Sequence, residues 1–393
     1  MLIKEKVEQA KDLLREFRID CWLTFVRESQ INGDPILKFL VNGDVTWHSA
    51  FIFDSSGTAE AIVGQYDVKT IEDSGVFDHV TGYVKGIREP LLEYLKELKP
   101  KNIAINFSRS SEVCDGLTYG MFLTLYEYLE EIEMEGRITS AERIVTALRE
   151  RKTPYEISCI KGAVKHTEEI FDLVAKFIKP GVTEKEIASF MKDEVKKRGL
   201  GFAWDEAVCP AVFSGPDGGE AHYAPSDKVV EKGHVLNMDF GVRYNGYVSD
   251  MQRTFYILND GETEAPSDVK KGFDTIVEAV QKAKDAIKPT IEGCSVDKVA
   301  RDIVVNAGYE EFPHGLGHQL GIYSHDGTAL LGPGWEKYGL KPFFHLEEGM
   351  VFTIEPRLTV KGRGIVTIEE MVLIQGAGAE WLSTPQKELI LIK

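Results

Sequence analysis

Hydrophobic positions along the chain change period several times, and each change marks an element. Val7, Ala10, Leu13, Leu14 and Phe17 recur at helical spacing, which predicts an amphipathic helix at the N-terminus. Short apolar runs follow: CWLTFV, AFIFD and AEAIVG separated by the turn SSGT, and NIAINF. Their lengths and flanking turn residues predict strands, and the helical patterns between them predict a mixed α/β domain. This first domain is expected to span 1–148, with a soft boundary near ERIVTALRERKTPYE and no Pro/Gly linker. The second, 149–393, opens on a long helical pattern from Pro154 to about Phe177.

The second domain contains an internal echo. Ile178-Lys179-Pro180 recurs as Ile287-Lys288-Pro289, an offset of 109, and Gly199 recurs as Gly308 at the same offset. Between these markers Ile187, Met191 and Val195 match Val296, Ala300 and Val304, each set four apart as one helix face requires. Thr183 and Glu186 form a capping-box pattern, and Ser295 is the expected cap of the second helix. Strand-like runs follow the helices in each half. The pattern predicts an α+β domain made of a duplicated helix–strand unit, with a pseudo-two-fold axis and a central cleft.

Composition narrows the partners. A formal net charge of -17 argues against nucleic acid, which needs a basic face. The five cysteines are scattered and never form C-x-x-C, as expected of reduced thiols in a cytoplasmic protein. The N-terminal MLIKEKVEQAKDLLREF carries charge from the start and has no apolar h-region, and no apolar run is long enough to span a membrane.

The candidate chemistry lies in the C-terminal half. HVLNMDFGVRYNGYVSDMQRTFYI reads as a β-hairpin turning at Asn245-Gly246. That turn sets Tyr244 opposite Tyr247 and Gly241 opposite Asp250, and puts Asp239 on the same face as Asp250, diagonally about 7 Å away or less. MVFTIEP and GIVTIEEMVLI, joined through Lys361-Gly362-Arg363-Gly364, repeat the device and set Glu355 opposite Glu369. Opposed like charges are unfavourable, so the pair calls for a cation. HGLGHQLGIYSHD supplies His314, His318 and His325, and its glycines predict an irregular loop instead of a helix. Asp239, Asp250, His318, Glu355 and Glu369, if they converge, form a pocket for two divalent metal ions, and the reaction type they suggest is metal-assisted hydrolysis. Oxygen-rich ligation with one imidazole suits Mn²⁺, the ion expected first, or Co²⁺, Zn²⁺ or Fe²⁺.

The ordered set D-x-G, S-D-x-x-R-T, H-G-x-G-H-x-x-G-x-x-x-H, T-I-E-P and I-E-E resembles the pita-bread metallopeptidases: methionine aminopeptidase, aminopeptidase P and prolidase, with creatinase sharing the additional N-terminal domain. The resemblance covers nearly the whole chain. It implies that Asp239 chelates one ion, His318 and Glu355 hold the other, and Asp250 and Glu369 bridge. It also implies a substrate-side role for His222, in EAHYAPSD, and pocket roles for His314 and His325. Hydrolysis would proceed by attack of a metal-bridging hydroxide, with Glu355 carrying the proton and His222 and His325 hydrogen-bonding substrate and oxyanion. Creatinase lacks the metal ligands, which are intact here, and a methionine aminopeptidase would usually lack the first 150 residues.

The sequence departs from the pattern at one informative place. Prolidases and aminopeptidases P commonly carry Arg two residues before the last glutamate, where this chain has Thr367. Arg357 replaces the glycine usual after E-P, and it or Arg363 is available to take over. The leading expectation is an Xaa-Pro dipeptidase (prolidase) working as a homodimer on small peptides with proline after the scissile bond. An Xaa-Pro aminopeptidase acting on longer peptides, a dimetal amide or ester hydrolase of other specificity, and a non-catalytic peptide-binding module are the alternatives.

Overall fold

The computed structural model describes residues 1–216 and 223–393, and the chain divides into two compact units, Met1–Arg149 and Glu150–Lys393. In the first unit the helix Leu2–Phe17 buries Val7, Ala10, Leu13 and Leu14 and ends where Arg18 takes the left-handed conformation, with φ 57°. The apolar runs become strands β1 (Cys21–Val26), β2 (Ser49–Asp54), β3 (Ala59–Gly64), β4 (His79–Tyr83), β5 (Ile103–Ile105) and β6 (Ile138–Ser140). They form one sheet in the order β4-β3-β2-β1-β5-β6. β1, β2 and β3 are buried along their whole length, which is why their sequences read as continuous apolar runs without alternation. Leu23, Ile52, Ile62, Leu91, Ile103 and Leu125 form part of the core.

The second unit is built on two helix pairs. The helix Pro154–Phe177 starts at a capping box in which the Thr153 side chain accepts from the Glu156 backbone N–H and the Glu156 carboxylate accepts from the Thr153 N–H. Thr183 and Glu186 do the same for the helix Glu184–Lys197. The second pair is Ser267–Ala286 and Gly293–Asn306. The 109-residue offset of the echo carries 177 to 286, 184 to 293 and 197 to 306, so the helix boundaries repeat as the apolar positions do. Gly199 and Gly308 both follow their helices with positive φ, 64° and 94°, where a side chain would be strained. Ser295 is not the cap expected of it. It lies inside the first turn of a helix whose cap position is Glu292, and its N–H donates to the Glu292 carbonyl.

Strands of this unit are β7 (Gly201–Phe202), β8 (Ala211–Ser214), β9 (Val235–Phe240), β10 (Val242–Tyr244), β11 (Tyr247–Val248), β12 (Met251–Ile257), β13 (Gly317–His318), β14 (Leu330–Leu331), β15 (Val351–Ile354), β16 (Arg357–Val360), β17 (Gly364–Thr367), β18 (Glu370–Gln375), β19 (Gly378–Trp381) and β20 (Ile390–Ile392). The first hairpin has the expected register: Tyr244 faces Tyr247 and Phe240 faces Met251, so Gly241 and Asp250 share the intervening rung. Asn245 and Gly246 both have positive φ, 49° and 86°, the signature of a tight hairpin turn. The second hairpin keeps one register through its central break. Arg357 faces Thr367 on one side and Ile354 faces Glu370 on the other, which sets Glu355 against Glu369. A backbone bridge between Gln252 and Glu369 joins the two hairpins. Phe273, Ile276, Val296, Val304, Phe352, Ile354 and Val366 pack together in this unit's core.

Gly241 is required by close approach. A Cβ there would lie 1.8 Å from the Ser249 carbonyl oxygen, inside the hairpin that carries both aspartates. Gly241→Ala should therefore lower the free energy of unfolding by about 1–3 kcal/mol, the usual cost of overpacking. An unchanged urea midpoint in this variant would contradict the register described here.

Candidate metal centre

Four strands bring the acids into one row. Asp239 on β9 faces Gln252 on β12, Gln252 faces Glu369, and Glu369 faces Glu355. Asp250 stands two residues before Gln252 and so shares its face of the sheet. The sequence-derived set thus converges, with His318 arriving from β13. Its Nε2 lies 3.3 Å from Glu355 Oε1, 3.9 Å from Asp250 Oδ2 and 4.0 Å from Glu369 Oε1. Ligand atoms of Asp250, His318 and Glu369 all fall within 4.8 Å of one another. Glu355 is the most open of the three acids around His318, its side chain 17% exposed against 8% for Asp250 and 1% for Glu369.

The other histidines occupy different places. His325 sets its ring edge-to-face against His318, with centroids 4.2 Å apart and an interplanar angle of 84°. His314 hydrogen-bonds through Nδ1 to the Gly315 carbonyl at 2.8 Å and lies against the Phe312 ring. A carbonyl only accepts, so Nδ1 carries the proton. Burial, and secondarily the Arg357 charge, push the His314 pKa down to about 4, which leaves Nε2 a bare acceptor at neutral pH. His222 lies outside the described residues.

Several supporting residues had no role in the sequence reading, although Arg253 and Glu370 fall within the motifs S-D-x-x-R-T and I-E-E. Arg253 pairs with Glu370 (Nη1 to Oε1 3.0 Å) and also donates to the carbonyls of Glu369 and Thr384. Glu370 in turn accepts from Ser383 Oγ at 2.6 Å and Gln386 N at 2.8 Å. This buried pair is fully hydrogen-bonded and ties the strand of Glu369 to the strand of Asp250. The His318–His325 loop hangs on Glu150, whose Oε1 accepts from Gln319 Nε2, Thr328 N and Ala329 N. A Cβ at Gly317 would stand 1.9 Å from the Thr353 carbonyl oxygen, so glycine lets His318 reach β15. Gln252 donates from Nε2 to Glu369 Oε2 at 2.9 Å and approaches Glu355 Oε2 at 3.4 Å. Its position two residues after Asp250 on one strand was the available signal. Glu150 had none, because its partners are 169 or more residues away.

The electrostatics call for cations. Desolvation raises the carboxyl pKa of Asp239, Asp250, Glu355 and Glu369. Repulsion adds to it: Asp239 acts on Asp250 and Glu355, and Asp250, Glu355 and Asp239 act on Glu369. At 4 Å two like charges oppose each other by about 4 kcal/mol even at an effective dielectric of 20. Asp239 Oδ1 and Glu369 Oε1 are buried without a hydrogen-bond partner, which is costly for a carboxylate oxygen and natural for one that faces a metal. Carboxylate oxygens with one imidazole are a donor set for divalent ions, and the residues fit such ions.

The chain belongs to the metallopeptidase family M24, whose model matches residues 158–376, more than half of the sequence. It is similar to a putative Xaa-Pro aminopeptidase of Mycoplasma genitalium, 28% identical over 97% of each chain. It is likewise 28% identical to an Xaa-Pro dipeptidase of Pyrococcus horikoshii, over 81% of this chain and 89% of that one. Among solved structures, an Xaa-Pro dipeptidase from Bacillus anthracis superposes with a TM-score of 0.72 at 26% identity, covering 99% of this chain and 100% of the other. The duplicated unit is thus the pita-bread fold that the motifs implied, and this metallopeptidase family works with divalent metal ions.

The raised carboxyl pKa values give a pH signature. Native Asp239, pushed up to about 7, holds a proton that the unfolded chain releases near pH 4. The native state binds more protons in that window, so the contribution to stability is full below pH 4 and is lost as pH rises through 7. Chelator-treated protein should show a falling Tm across this range relative to Mn²⁺-loaded protein. A gap between the two that stays constant with pH would remove the coupled acids as its cause.

Proposed function

We propose that this chain is a dinuclear metallo-exopeptidase that cleaves Xaa-Pro dipeptides. The observation that carries the reading is the acid row gathered around His318. Its metal ligands would be Asp239, Asp250, His318, Glu355 and Glu369, with residues 149–393 as the catalytic domain and 1–148 as an accessory domain serving a homodimer. Mn²⁺ is the ion expected first, ahead of Co²⁺, Zn²⁺ and Fe²⁺. Bound ions would supply Lewis-acid polarisation of the scissile carbonyl and a water acidic enough to ionise near neutral pH.

The remaining work falls to the chain's own side chains. Glu355, the open acid beside His318, takes the water proton and passes it to the leaving nitrogen. His325 is held against His318 by ring contact, which suits it to donate a hydrogen bond to the developing oxyanion, with His222 on the substrate side. His314 offers a bare nitrogen to a substrate donor. A bond before proline has no amide N–H, so a site gripping the carbonyl and the termini suits it. The free cysteines agree with a reducing cytoplasm.

Arg357 is our candidate for the carboxylate receptor of a dipeptide. It stands directly across the strand pair from Thr367, and its charge is felt at His314. Arg363 donates to the Gly233 carbonyl at 3.0 Å and lies 3.4 Å from Asp268 Oδ2, on the side of the helix Ser267–Ala286. Similarity to an Xaa-Pro aminopeptidase over nearly the whole chain favours a second reading, removal of an N-terminal residue from longer peptides.

A Mn²⁺-loaded assay comparing an Xaa-Pro dipeptide with a longer Xaa-Pro peptide separates the two readings, and the dipeptide should be preferred. Asp250→Asn should cut kcat/KM by about 10³ or more while the far-UV spectrum is unchanged. Wild-type turnover in that variant would end the metal reading. Arg357→Gln should raise KM for the dipeptide about tenfold or more, the value of a lost charge-assisted bond, and leave a C-terminally amidated dipeptide unaffected. Equal effects on both substrates would remove Arg357 from carboxylate recognition.

A further inference from the structure

Gln252 is the uncharged member of the acid row. It faces Asp239 across one strand pair and Glu369 across the other, and it is 4% exposed. The mechanism above gives it no task. A buried primary amide must be hydrogen-bonded, and the oxygens it selects are informative. Its Nε2 is directed at Glu369 Oε2 and Glu355 Oε2, at 2.9 and 3.4 Å. The other oxygens of the same carboxylates, Glu355 Oε1 and Glu369 Oε1, are those lying 3.3 and 4.0 Å from His318 Nε2. Glu369 Oε1 has no hydrogen-bond partner. One amide thus sorts four carboxylate oxygens into a clamped pair and a pair facing His318, of which Glu355 Oε1 also accepts from Thr353 Oγ1 at 3.5 Å. The sorting is reinforced by the backbone, because Gln252 and Glu369 exchange both N–H···O bonds, at 3.3 and 3.2 Å.

We infer that Gln252 is a positioning residue that holds the Oε1 oxygens of both glutamates toward His318 and, by occupying Glu369 Oε2, competes with a second cation for that carboxylate. The inference rests on the dinuclear reading of the site. It assigns the separation between the two binding steps to this chain's own amide. The first ion meets oxygens already turned toward it. The second must displace the Gln252 N–H donor from Glu369 Oε2, a buried hydrogen bond of 2.9 Å.

The test is calorimetric Mn²⁺ titration of metal-free, full-length protein, with bound ions counted by equilibrium dialysis. Gln252→Leu keeps the bulk and removes the donors. Wild type should take up two ions in separated steps. In Gln252→Leu the second step should tighten about tenfold and the first should weaken, so that the two constants approach each other. At one equivalent of Mn²⁺, electron paramagnetic resonance should show isolated ions in wild type and a larger share of spin-coupled pairs in the variant. Gln252→Asn, whose amide is one methylene too short to span both glutamates, should move in the same direction and replaces the leucine variant if circular dichroism shows that variant unfolded. An unchanged ratio of the two constants in the folded variants overturns the role of Gln252 while leaving the dinuclear site standing. A wild-type protein that saturates at one ion refutes the dinuclear reading; Gln252 still holds its role if the variants then take two ions, and loses it if they also take one.

Discussion

A buried row of carboxylates is the constraint on which the rest of this molecule depends. Asp239, Asp250, Glu355 and Glu369 are withdrawn from water, which raises the carboxyl pKa of each, and repulsion between them adds to the rise at Asp250, Glu355 and Glu369. A chain gains nothing for stability from such an arrangement unless cations complete it. Burial strengthens repulsion between the acids and attraction to a metal by the same factor, because both scale with the inverse of the local dielectric. The same low dielectric makes the orphaned oxygens Asp239 Oδ1 and Glu369 Oε1 expensive unless a cation faces them.

Holding those acids together against their repulsion falls to strand pairing. Two hairpins carry two acids each, and a bridge at Gln252 and Glu369 locks one hairpin to the other. Side chains on strands are placed by register, and a slip of one residue would turn every acid to the opposite face. Devices that resist a slip surround the row: the Asn245-Gly246 turn, Gly241 against the Ser249 carbonyl, and the buried Arg253–Glu370 pair tying adjacent strands. His318 comes from the two-residue strand β13, at the head of the His318–His325 loop. That loop is held at Gln319, Thr328 and Ala329 by a single carboxylate, Glu150.

Much of this was legible along the chain because it is local. Turn chemistry fixed both hairpin registers, so the opposition of Glu355 and Glu369 followed from counting residues either side of Gly362. The 109-residue echo marked helix boundaries because matching apolar faces and glycine stops at Gly199 and Gly308 act within a few residues. Local rules erred at Ser295, where a good capping residue lies within the helix and Glu292 takes the cap position. Close packing set the first turn: a Cβ at Gly293, the first helical residue, would lie 2.1 Å from the Leu330 carbonyl oxygen, a contact that capping preference does not contain. The histidine cluster showed the same boundary: glycine spacing excluded a helix, but nothing local distinguished His325, ring-packed on His318, from His314, bonded to its own neighbouring carbonyl.

By itself, then, the sequence determined the registers of the two acid-bearing hairpins and the repeated helices, which are written in period, turn or spacing, while the roles expected of the acids came from resemblance to a family. Tertiary structure alone decided which oxygen faces which donor. The clamping of Glu369 by Gln252 and the anchoring of the histidine loop by Glu150 join residues far apart in the chain. Such contacts depend on the directions in which side chains leave separately folded strands, and no pattern within a single segment records that direction.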